Sequence, residues 1–79
     1  MKDAGRRHQR ELSKAFGHAE LTVQELWLRY FAAGGVADPI EVDAYLSGLM
    51  PLPESQHNLL ATVVNARLDE LPPRRAPYY

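Results

Sequence analysis

From Leu21 onward, apolar positions recur at helical spacing and are interrupted by glycine and proline. Val23, Leu26, Trp27, Tyr30 and Phe31 fall on one helical face. Thr22 and Glu25 stand at the separation of a capping box, and Leu21 and Leu26 at that of a hydrophobic staple. The Gly34-Gly35 pair offers the left-handed residue that commonly closes a helix. Together these predict a helix over 22–33. Asp38, Pro39 and Glu41 then read as N-cap, first and third helical positions. With Val42, Tyr45, Leu46 and Leu49 sharing a face, a second helix is predicted over 39–48.

The stretch "MPLPES" is extended or turning, because each proline disfavours helix in the residue before it. Leu59, Leu60, Val63, Val64 and Leu71 form the stripe of a third helix, over 54–71, with Leu68 on its flank and Ser55 as its natural cap. Pro72-Pro73 ends it. The expected fold is all-α, a compact three-helix bundle with Trp27, Tyr30, Phe31, Tyr45, Leu46, Leu60, Val63 and Val64 at its core.

The ends read differently. Residues 1–19 form a basic arm, flexible or partly helical, with at most a frayed helix around Leu12, Ala15 and Phe16. The segment 72–79, "PPRRAPYY", is too polar and proline-rich to build a core and is expected to be a disordered tail. Its Tyr78 and Tyr79 beside Arg74 and Arg75 are better read as part of that tail than as a recognition element.

Charge sharpens this division. Residues 1–19 hold five cations against two carboxylates, whereas residues 20–71 hold Arg29 and Arg67 against eight carboxylates. An acidic body therefore lies between basic ends. At 79 residues the chain makes one domain, whose core rarely supplies more than ~3–5 kcal/mol. No cysteine is present to staple it, which leaves close helix packing, self-association or a partner. The arm carries no apolar run of the kind found in signal peptides or membrane spans, so a cytoplasmic protein without membrane association is expected. Seven arginines against two lysines, with eleven leucines against one isoleucine, point to a bacterial genome rich in G and C.

Catalytic chemistry finds little support. His8, His18 and His57 lack the one-turn pairing that places two imidazoles on a metal, and solvent-facing histidines are the expectation. Glu41, Asp43 and Glu54 are explained by helix starts, where the dipole favours carboxylates. The glycine pair lacks the spaced amides and lysine of a phosphate loop. No enzyme, metal site or cofactor is expected.

The first two helices and their turn outline a helix-turn-helix, but "DPIEVDAYLSGL" exposes Glu41 and Asp43 and contains no base. In the third helix Arg67 lies within the apolar stripe, where its stem would pack over an aromatic ring. Nucleic acid is therefore disfavoured for the folded part. The alternative is phosphate contact through Arg6, Arg7 and Arg10 of the arm. The favoured function is a small protein–protein interaction module, regulatory or accessory, with a possible homodimer. Its candidate contact residues are Leu28, Ile40, Leu49, Met50 and Leu52, which lie off the core faces or in an unusually apolar connection.

Overall fold

The computed structural model describes residues 2–72. Among them run four helices: α1 (Lys2–His18), α2 (Val23–Ala32), α3 (Pro39–Leu46) and α4 (Glu54–Glu70). The fold is all-helical as expected, but it has four helices where the pattern predicts three. The addition is α1, which packs on both α4 and α3; α2 packs on the same two. The tail expected over 72–79 lies outside the described residues beyond Pro72.

α1 emerges because its sparse stripe finds a surface to cover. Leu12 is buried, Ala15 and Phe16 pack against the core, and Ala19 just beyond the helix is completely buried. Burying one leucine contributes about 1.5–3 kcal/mol, a large share of what so small a domain commands. The helix is closed by Glu20 in the left-handed region, with φ 56°, and the Arg67 Nε donates to the Ala19 carbonyl at 3.0 Å. Arg67 therefore holds the end of α1 to α4 and also reaches Glu70, instead of covering an aromatic ring.

The predicted capping box at Thr22 forms, and the predicted N-cap Asp38 forms a second one with Glu41. Thr22 Oγ1 accepts from the Glu25 amide at 3.1 Å, and the Glu25 carboxylate accepts from the Thr22 amide at 2.8 Å. Asp38 and Glu41 exchange the same pair of bonds at 2.8 and 2.9 Å. α4 differs from expectation: its N-cap is Pro53, which makes no side-chain cap, and Ser55 lies inside the helix. Extended backbone at Pro53 starts the helix before the serine can cap it, and the Gln56 and His57 amides already reach the Pro53 carbonyl.

The core comprises Leu12, Ala19, Leu26, Tyr30, Ala37, Val42, Tyr45, Leu46, Leu60, Val63 and Val64. Two expected members depart from it. Phe31 is 59% exposed and stacks on Trp27 at 5.1 Å between ring centroids, and Trp27 is only half-buried. The reason is geometric. With α3 and α4 both packed on α2, the line through Leu26 and Tyr30 points inward, and Phe31 is rotated to its edge.

Candidate interaction surfaces

The α2–α3 turn is organised by one hydroxyl. Tyr30 Oη accepts from the amides of Ala37 at 2.9 Å and Val36 at 3.1 Å, and donates to the Gln56 side-chain oxygen on α4. Gln56 Oε1 also accepts from the Val36 amide at 3.1 Å. Trp27 Nε1 donates to the Ala37 carbonyl at 2.9 Å, clamping the turn from its other side. The Val36 and Ala37 amides are thus spent on a phenol and an amide oxygen, and those of Gly34 and Gly35 on the carbonyls of Phe31 and Tyr30, which leaves them unable to cradle an anion. Gly34 supplies the left-handed residue, with φ 105°.

Fixing the turn this way leaves much apolar surface on the outside of the hairpin. Leu28 is 53% exposed, Phe31 59%, Val36 81% and Ile40 80%. Leu28 and Phe31 stand one helical turn apart on α2, while Val36 lies in the turn and Ile40 in the first turn of α3. The Phe31–Trp27 stack and the Trp27–Ala37 hydrogen bond tie α2 to the turn that precedes α3. Glu25, Asp38 and Asp43 are exposed on the same hairpin and Glu41 is half-exposed; its one cation, Arg29, is bonded to Glu70.

The five contact residues anticipated from the sequence do not form one patch. Leu28 and Ile40 are exposed on the hairpin. Leu49 is 81% exposed but lies beyond the opposite end of α3 from Ile40, roughly 12 Å along an eight-residue helix. Met50 is half-buried, and Leu52 packs against the core. Phe31 and Val36 are exposed as well, outside that expectation. Phe31 shares a helical face with core residues, and Val36 is a lone apolar residue in a turn, so neither carries a sequence signal of exposure.

Where α1, α3 and α4 meet, a second grouping forms. Tyr45 Oη and His57 Nδ1 share a hydrogen bond at 2.6 Å, and the His8 ring lies 5.9 Å from that of His57. Burial, with nearby His8 adding to it, lowers the His57 pKa below its ordinary value, although Glu54 pulls the other way. Burial also raises that of Tyr45. The pair is therefore neutral near neutrality and serves as an interhelical hydrogen bond. His57 is accordingly half-buried and bonded, contrary to the solvent-facing expectation, whereas His8 and His18 are exposed. A shallow groove of about 180 Å³ lies beside it, lined by His8, Glu11, Leu12, Ala15, His57, Ala61 and Asn65. No group of three or more potential metal ligands occurs among the described residues, and no described helix is long and apolar enough to cross a membrane.

Arg6, Arg7 and Arg10 are exposed on α1, in a regular helix and not a loose arm. Lys14 extends their row by another turn. No protein-family model, curated protein or solved structure matches the chain.

Proposed function

We propose that this chain is a small non-enzymatic protein–protein interaction module, a bacterial cytoplasmic regulatory or accessory protein that holds a partner on the outer side of its α2–α3 hairpin. The observation that carries the reading is the exposure of Leu28, Phe31, Val36 and Ile40 on one clamped hairpin. Scattered exposed leucines are ordinary, but several large apolar side chains on one rigid element mark a contact surface. The partner surface that fits is apolar with basic flanks, since Glu25, Asp38, Glu41 and Asp43 border the hairpin's apolar residues in sequence. A homodimer closed over this same face would set the acidic residues of two copies against each other, which favours a different protein as partner.

The test is capture from the source lysate after nuclease treatment at moderate salt, comparing the native chain with Leu28→Ser/Phe31→Ser/Ile40→Ser. Substitutions at exposed positions should leave stability within about 0.5 kcal/mol each, so helix content serves as the control. A protein retained by the native chain, reproduced with purified components and lost with the folded triple variant, supports the reading. Equal retention by both would remove the hairpin face from consideration.

A further inference from the structure

The second charged feature of the molecule lies away from that hairpin. α1 turns Leu12, Ala15 and Phe16 toward α3 and α4. Arg6, Arg10 and Lys14 follow one another at intervals of four, and Arg7 stands beside them, so all four lie on the side of the helix opposite Leu12. All four are exposed. The row extends about 12 Å along the helix axis.

None of these cations has an ion-pair partner among the described residues, whereas Arg29 and Arg67 both bond Glu70. Arg6 with Arg10, and Arg10 with Lys14, are like-charge pairs one turn apart, an arrangement that opposes helix formation. Glu11, also exposed and one turn from Arg7, makes no ion pair with it. The packing against α3 and α4 thus holds a row of mutually repelling cations in place. A cost of this kind, with no ion pair among the described residues to offset it, is what an external anion would relieve.

We propose that the solvent face of α1 binds the phosphate backbone of a nucleic acid through Arg6, Arg7, Arg10 and Lys14. Three of the four are arginines, whose planar forks match phosphate oxygens with two bonds at once. An anionic lipid surface fits less well, because helices that lie on membranes insert an apolar face, and the apolar face of α1 is occupied by the core. Binding is blind to base sequence. Among the other α1 side chains suited to base edges, Gln9 donates to the Leu46 carbonyl at 2.9 Å and Ser13 is half-buried. The eight carboxylates of residues 20–71 disfavour phosphate contact on the rest of the folded body.

The experiment titrates the full chain against a fluorescent duplex DNA and a single-stranded RNA, neither of defined sequence relevance, across a salt series. Four phosphate contacts set a limiting slope of about −3.6 in log affinity against log salt, or about 100-fold weakening from roughly 50 to 200 mM. The variant Arg6→Gln/Arg7→Gln/Arg10→Gln/Lys14→Gln should lose binding with unchanged helix content, and Arg6→Lys/Arg7→Lys/Arg10→Lys should keep most of it. No binding by the native chain at the lowest salt, or equal binding by the glutamine variant, would overturn the proposal. So would association with phosphatidylserine vesicles without either nucleic acid. These outcomes are independent of the hairpin variants, so either surface can fail alone.

Discussion

The ring of Tyr30 lies directly against the backbone of Gly35: a Cβ added at Gly35 would fall 2.2–2.4 Å from its ring carbons. Real side chains never approach so closely. Gly35 is thus a glycine because a completely buried tyrosine from the preceding helix occupies the space its side chain would need. At Gly34 the space is open, and the requirement is the backbone φ of 105° instead.

Gly35→Ala is therefore expected to cost about 1–3 kcal/mol, since the ring is packed and cannot swing away without losing its hydrogen bonds. Tyr30→Phe should cost a comparable 1–3 kcal/mol by leaving the buried Ala37 amide without its acceptor. Because both changes act on one turn, the double variant should lose less than the sum. Urea melts read all three. An unchanged midpoint for Gly35→Ala would mean that the turn yields freely, and the clamp would be discounted.

α1 should unfold with the rest of the molecule. Leu12→Ala removes the buried side chain by which α1 enters the core and is expected to cost about 2–5 kcal/mol. Trp27 in α2 is a distant reporter, since α1 packs on α3 and α4 and not on α2. Its fluorescence transition should shift together with the helical signal. A variant that lost helix content while its Trp27 transition stayed in place would make α1 a separable arm.

Acid should weaken the fold in two stages. The folded His57 has a pKa below the ordinary 6.5, so the unfolded chain takes up its proton first as pH falls. Its contribution is present above pH 6.5 and is lost as pH drops from there through the folded value. Glu25, held low by its bonds to Thr22, and Glu70, held low by Arg67 and Arg29, act the same way further down, below their ordinary 4.5. Melting temperature against pH should fall across the histidine window, and His57→Gln should flatten that part alone. The same fall in the variant would assign the acid step to other groups.

Much of this architecture is legible in local spacing. A capping box needs two residues three positions apart, and both Thr22/Glu25 and Asp38/Glu41 form as that spacing implies. Helix ends at Gly34 and at the prolines after Leu71 follow equally from what one residue can do to its own backbone. Of the contact residues, Leu28 and Ile40 were identifiable as off-face because helical periodicity alone determines which side of a helix they occupy.

The tertiary structure decided whatever required two segments to meet. α1 has a thin apolar stripe and repelling cations, and becomes a helix because α3 and α4 give Leu12 and Phe16 somewhere to pack. Phe31 and Leu52 exchanged their expected places, one outward and one inward, because the angle at which neighbours approach selects which edge of a stripe is covered. His57 became an interhelical bond by meeting Tyr45, and Gly35 lost the room for a side chain by meeting Tyr30. Periodicity and capping are properties of consecutive residues and need no partner to be read. Burial, pKa and surface patches belong to pairs of distant residues, and exist only once the chain has brought them together.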